Sequence, residues 1–262
     1  MTRYLQIWGV QLRTSLATAM TYRASFILDG FMSLVWIALA LLPLIVLFDQ
    51  RSMVSGWDRP SALIVIAYFF GVKAVMEGIV SPSLIQLVER IRNGAFDYVL
   101  LKPVDAQFMI SACNYEPEKI FDFIGAIVIA TYAFILRGYP PTVGQVALGL
   151  ALFVAGVFAM YSLWILCAAA AFWVVRLDNL IYLLQAIFDT ARWPVQVFRG
   201  VWRILFTFII PVAVMTTFPA MAMLGRLSAR ATLATFGGAI AMIVISRLVW
   251  RAAIRNYTSA SS

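Results

Sequence analysis

Long apolar runs separated by short polar breaks pattern this chain from residue 25 to residue 249. The runs are continuous rather than alternating, so they predict membrane-crossing helices and not the strands of a barrel. Six runs reach the ~20 residues that cross a hydrocarbon core: 25–48, 61–87, 120–136, 146–175, 180–198 and 231–249. Ahead of them, residues 1–23 place Leu5, Trp8, Leu12 and Leu16 at three- to four-residue spacing. Arg3, Gln6, Arg13 and Thr14 occupy other positions, which predicts an amphipathic helix lying in the membrane surface. Residues 199–224 are apolar but broken by Pro211 and Pro219, and read as a re-entrant pair of half-helices. Non-helical backbone at membrane depth is tolerated where protein covers it.

A polar island, residues 88–108, interrupts the pattern between the second and third runs. Its centre is Glu89-Arg-Ile-Arg-Asn-Gly-Ala-Phe-Asp-Tyr-Val-Leu-Leu-Lys-Pro-Val-Asp105. Arg90, Arg92 and Lys102 point it to the cytoplasmic side, where Lys and Arg accumulate between spans. Phe96, Tyr98, Val99, Leu100 and Leu101 give it an apolar side that a plain solvated linker lacks. The segment suits either an interfacial connector or an element that a soluble partner grips. Gly94 admits a sharp turn or close backbone approach, and Pro103 disfavours helix at Lys102.

Composition agrees with a membrane solvent. Hydrophobic residues make up 63% of the 262 and charged residues 12%, against about 25% in a soluble domain; the mean hydropathy is +0.91. The reading is an all-α integral membrane protein forming one membrane domain over 1–262. The net charge of +8 is spread over many short segments, so it indicates membrane anchoring and no nucleic-acid partner. The chain has no histidine, which removes His bases, His metal ligands and Ser-His triads. Cys113 and Cys167 lie far apart and suggest neither a disulfide nor a metal site. No Gly-x-x-x-x-Gly-Lys-Ser/Thr loop occurs, so ATP is not bound here in that way. No catalytic, metal or cofactor-binding residues are assigned. Residues 1–23 lack the compact core and cleavage site of a signal peptide.

Charge also predicts orientation. With the N-terminus inside, the cytoplasmic segments hold Arg3, Arg13, Arg23, Arg90, Arg92, Lys102, Lys119, Arg176, Arg247, Arg251 and Arg255. The first two outside loops hold Arg51, Arg59 and Arg137. Both termini are therefore expected in the cytoplasm. Arg192, Arg199, Arg203, Arg226 and Arg230 fall on the outer side, against this bias.

Within the spans, Lys73 and Glu77 stand one helical turn apart, and Asp189 and Arg192 stand three residues apart. Ionisable groups at membrane depth face the bundle interior or a water-filled cavity and pair with something. Each set reads either as a self-neutralised pair or as part of a translocation path.

The order of these parts resembles the membrane subunits of type-2 ABC exporters, in the bacterial branch whose permeases work with a separate ATPase. Four features carry the likeness: the amphipathic helix before the first span; the island Ile91–Asp105; the break at Val175-Arg-Leu-Asp178 followed by Asp189-Thr-Ala-Arg-Trp-Pro194 and a Pro-broken region; and the tail Tyr257-Thr-Ser-Ala-Ser-Ser262. The resemblance implies six spans in the bacterial inner membrane and two permeases, identical or paired, on two ATPase subunits that hold ATP and Mg. It implies that the island docks in a groove on the ATPase through Arg92, Gly94, Phe96, Asp97 and Tyr98, with Lys102 and Pro103 ending the element. A secondary transporter is the alternative, but paired broken helices in both halves would mark it. An intramembrane enzyme would have a thin catalytic inventory. The sequence does not choose a substrate.

Overall fold

The computed structural model of the chain describes residues 2–111, 114–173, 185–209 and 211–257. Helix α1 spans Thr2–Thr21 and α2 spans Arg23–Gln50. A two-residue hairpin follows, β1 (Met53–Val54) antiparallel to β2 (Trp57–Asp58), with Met53 opposite Asp58. Ser55 (φ 52°) and Gly56 (φ 83°) make its turn, both left-handed as a tight hairpin requires. Next come α3 (Arg59–Val75), a π turn (Met76–Val80) and α4 (Ser81–Arg92). Short helices α5 (Asp97–Leu100) and α6 (Ala106–Ser111) form the island. Helices α7 (Ile120–Arg137) and α8 (Val143–Ala170) follow, then the short α9 (Val201–Ile204) and α10 (Phe218–Met223), and finally α11 (Ala229–Arg255).

Among the described residues the protein is all-α apart from that hairpin. Five helical stretches among them are long and apolar enough to cross a membrane: Arg23–Gln50, Arg59–Ile91, Pro117–Arg137, Val143–Ala170 and Ala229–Arg255. A shorter apolar stretch covers Ala213–Met223. Of the expected span 180–198, residues 180–184 lie outside the described residues, as do the break at 176–179 and the tail beyond Tyr257. The rest of that span turns rather than running straight. Helix ends at Asp189, a 3₁₀ turn covers Thr190–Arg192, and another covers Val195–Val197. Pro194 accounts for the break: it has no N–H and holds Trp193 extended (φ −101°, ψ 141°).

Helix α3 is the hub. Ile64, Val65, Ile66, Phe69, Phe70 and Val72 are all buried, so a near-continuous apolar sequence is covered on every side. Helices α2 and α11 are peripheral and expose much of their apolar surface, including Phe31, Trp36, Ile240 and Leu248. Small residues set the closest approaches. A Cβ on Gly30 would come within 2.4 Å of the Phe121 ring, and one on Gly125 within 2.6 Å of Ile37 Cδ1, so α2 and α7 touch through glycines. Gly156 of α8 likewise lies against the backbone of Met215 (2.9 Å to a built Cβ).

The Pro-broken region is held by threonines. Thr216 Oγ1 donates to the Ala191 carbonyl (3.0 Å), and Thr217 Oγ1 accepts from the Val195 N–H (3.1 Å). Those partners are backbone groups that the 3₁₀ turns leave unpaired. Gln196 accepts from Trp57 Nε1 (3.2 Å), and the Leu224 carbonyl accepts from Arg137 (3.4 Å). Residues 196 and 224 therefore both adjoin the end of the bundle opposite the island.

Candidate functional site

The island's shape begins with the end of α4. Asn93 caps that helix, and its side-chain oxygen accepts the Ala95 N–H (3.1 Å). Gly94 then takes φ +74°, a backbone that L side chains rarely adopt. The reversal returns the Phe96 N–H to the Arg90 carbonyl (3.0 Å) and starts α5. After α5, Val104 N–H bonds the Lys102 carbonyl (2.8 Å) around Pro103, a tight turn that leaves Lys102 and Pro103 exposed. Asp105 caps α6 by accepting the Phe108 N–H (3.2 Å).

This geometry divides the island's apolar residues. Phe96 is 0% exposed and Val99 is buried beside it, whereas Tyr98 is 72% and Leu101 79% exposed. The resemblance made Phe96 part of the docking surface; the structure turns it inward. It sits among Phe172, Trp250 and Tyr257, with ring centroids 5.3, 6.3 and 5.3 Å away, all edge-to-face. Such pairs add about 0.5–1.5 kcal/mol each beyond the area they bury. The reason for the inward turn is the sharp reversal at Gly94, which returns Phe96 to the end of α4 and aims its ring at the bundle. Asp97 is half-buried; burial, and after it the Asp97 carboxylate, pushes the Tyr257 hydroxyl up from its ordinary value. Arg92 closes α4, and its side chain lies outside the described residues.

A second set of contacts was not singled out from the sequence. Arg247, near the end of α11, forms a bidentate pair with Asp105: Nη1 to Oδ1 at 3.1 Å, and a very short contact between Nη2 and Oδ2. Nη1 also donates to Gln107 Oε1 (2.6 Å). Gln107 Nε2 donates to the Tyr161 hydroxyl (3.1 Å). Ser111 donates to the Gln107 carbonyl (2.7 Å), so the Tyr161 hydroxyl donates to Ser111 (2.7 Å). The Arg247 guanidinium holds the Asp105 carboxyl below the usual carboxylate range, opposed by burial. An arginine inside an otherwise apolar last run was the one sequence signal available. Its partner, 142 residues away, was not readable.

The Lys73–Glu77 pair is present, at 3.7 Å, and it is not alone. Glu77 is closer to Lys119, at 2.9 Å, and all three side chains are roughly a quarter exposed. The π turn brings them together. Pro82 has no N–H to give the Gly78 carbonyl, so that oxygen accepts instead from the Glu116 N–H (2.9 Å). The loop before α7 is thereby stapled to the turn, with Lys119 beside Glu77. Glu116, outside the spans, is pushed up by burial and, less so, by neighbouring carboxylates. Asp122 is buried one turn into α7 and accepts from Ser33 Oγ (3.3 Å). Asp189 and Arg192 meet differently from the expected side-chain pair. Arg192 Nε donates to the Asp189 backbone carbonyl (2.8 Å), which closes a local turn.

Helix α1 lies across this end. Tyr4 stacks edge-on to Phe108 at 4.8 Å, Trp8 meets Tyr115 at 6.5 Å, and Ser15 Oγ accepts the Tyr115 N–H (3.3 Å). This end of the bundle thus carries an exposed surface, Tyr98, Leu100, Leu101, Lys102 and Pro103, on a base that is packed and hydrogen-bonded.

A family model described as ABC-2 family transporter protein matches residues 34–261. No curated protein and no solved structure matches the chain.

Proposed function

The chain belongs to the ABC-2 transporter family as a multi-pass membrane protein, and on that premise we propose that it is the permease subunit of an ATP-driven exporter. It forms the translocation path with a second permease, a copy of itself or a homologue. A separate nucleotide-binding subunit holds ATP and Mg and hydrolyses the nucleotide. The observation that carries this reading is the exposed apolar step at Tyr98 and Leu101, set beside Lys102 on a rigid base. An apolar anchor ringed by charge is what a protein partner covers. The missing phosphate loop is consistent with hydrolysis in the partner chain.

The ATPase contact is reassigned within the island. Tyr98, Leu101, Lys102 and Pro103 make it, and Phe96 supports it from below. Lys73 and Glu77, with Lys119, act as a local lock and not as path lining. For a helix entering the bilayer at Arg59, Glu77 lies about 27 Å along it at 1.5 Å per residue. That is close to the whole ~30 Å hydrocarbon thickness, so the group falls toward the island-side boundary.

The island end and both termini face the cytoplasm of the bacterial inner membrane in this proposal. Cysteines at Ser55, Thr142 and Ser228 should react with an impermeant reagent in intact cells, and one at Arg255 should not. Labelling at Arg255 alone would invert the orientation. The functional test is co-purification of the permease with its nucleotide-binding subunit. Leu101→Asp should abolish it while the variant still inserts and folds. Retention of the ATPase by this variant and by Tyr98→Ala would remove the island from the interface. ATP hydrolysis by the purified chain alone would sink the proposal altogether.

A further inference from the structure

The island follows α4 in the chain and its α6 packs against α4, and its aromatic and charged side chains also reach the ends of α8 and α11. Phe96 packs on Trp250 of α11 and on Phe172 just past the end of α8. Phe172 also touches Trp250 (5.6 Å) and Tyr257 (5.6 Å), so the rings close on one another as a box. Asp105, at the other end of the island, grips Arg247 of α11 with two parallel hydrogen bonds. Gln107 and Ser111 extend the grip to Tyr161 of α8.

We propose that the island moves as one body with the island-side ends of α8 and α11, clamped by Arg247–Asp105 and by the Phe96–Phe172–Trp250–Tyr257 box. This rests on the permease reading only for its consequence: a push on Tyr98 and Leu101 is delivered to the last helix. The clamp residues are positioning residues. Two anchors about ten residues apart resist rotation as well as translation, which a single contact would not. Charge-assisted bidentate pairs fix geometry as well as distance. The aromatic box adds a contact that salt does not screen.

The test uses the full chain with Cys113→Ser and Cys167→Ser, carrying spin labels at Leu101→Cys on the island and Arg255→Cys on α11. Both positions are exposed. Pulsed dipolar spectroscopy should give one narrow distance distribution in the parent. Arg247→Ala should broaden it and add a second population. Asp105→Asn keeps the N-cap acceptor of α6 and removes the charge, so it should broaden the distribution in the same direction and by less, because Arg247 keeps its bond to Gln107. The double variant should be no worse than Arg247→Ala, which already deletes the shared interaction. Phe96→Leu keeps an apolar core residue if Arg247→Ala folds poorly, and it too should add the second population. A melting temperature that falls while the distribution stays as in the parent would mean the contacts are only structural, and would overturn the proposal. With the nucleotide-binding subunit bound, ATP should leave the parent's 101–255 distance unchanged. A change there would also overturn it. Failure of that subunit to bind the parent at all would instead count against the permease reading, and the dipolar result on the chain alone would stand.

Discussion

Phe96 and Tyr98 are two residues apart and chemically alike, yet one is wholly buried and the other 72% exposed. The inner face of the island belongs to the protein's own core, where Phe96 meets Trp250 of α11 and Phe172 just past α8 and Val99 is buried beside it. The outer face, Tyr98 and Leu101, is left largely uncovered by the described residues. The difference separates two kinds of apolar residue on a membrane protein's water-facing end. One kind stiffens a surface, and the other offers it to a partner. A residue in the first class affects function by changing how the surface is held, and one in the second by changing what it touches.

Four tests of that division follow, in falling order of effect. Val99→Asp places an unpaired carboxylate in the inner face. It should cost about 4–5 kcal/mol or more, enough to deplete the folded protein in the membrane. Its mirror on the outer face, Leu101→Asp, should change thermal stability by less than about 0.5 kcal/mol. Equal losses for the pair would erase the distinction between faces.

Phe96→Ala comes next, at about 3–5 kcal/mol for a buried aromatic. Phe96→Leu should recover much of that loss, because it refills the volume without the edge-to-face contacts. A detergent melt of both variants reads the difference directly.

Tyr98→Ala should leave the melt unchanged and lower affinity for the nucleotide-binding subunit. A buried interface anchor is worth about 2 kcal/mol, or roughly thirtyfold in Kd. A lowered melt with unchanged affinity would assign Tyr98 to the inner class.

The smallest effect is acid sensitivity of the clamp. Asp105 titrates below the ordinary carboxylate value in the folded protein. Its contribution is therefore fully present above about pH 4 and is lost as pH falls through the lowered folded value. The group is about a third exposed, so the contribution should stay under about 1 kcal/mol. Comparing melts of parent and Asp105→Asn from pH 6 to pH 3 should show the gap closing only at the acid end. A gap that widens with acid would reverse the assigned sign.

The two ionic groups show how far sequence reading reaches. Lys73 and Glu77 were visible because helical periodicity puts residues four apart on one face. Lys119, the closer partner of Glu77, was not visible. It arrives because Pro82 frees the Gly78 carbonyl and the loop before α7 docks there. Asp105 and Arg247 were each present as charges in the right segments, but nothing in either segment names the other. The island's position and its Gly94 and Pro103 turns could be read from local chemistry alone.

By itself, the sequence determined the solvent and the class: long apolar runs need lipid, and lipid requires helices that satisfy their own backbone. It also determined the amphipathic first helix, the polar island and the family likeness, since those depend on composition and local order. Only the tertiary structure decided which side of the island faces inward, which cation Glu77 prefers, and how residues 185–198 turn. Those outcomes depend on contacts between segments distant in the chain, where packing of glycines, aromatics and orphaned carbonyls selects one arrangement. Periodicity reports which residues share a face of one helix. It carries no information about what another helix brings to that face.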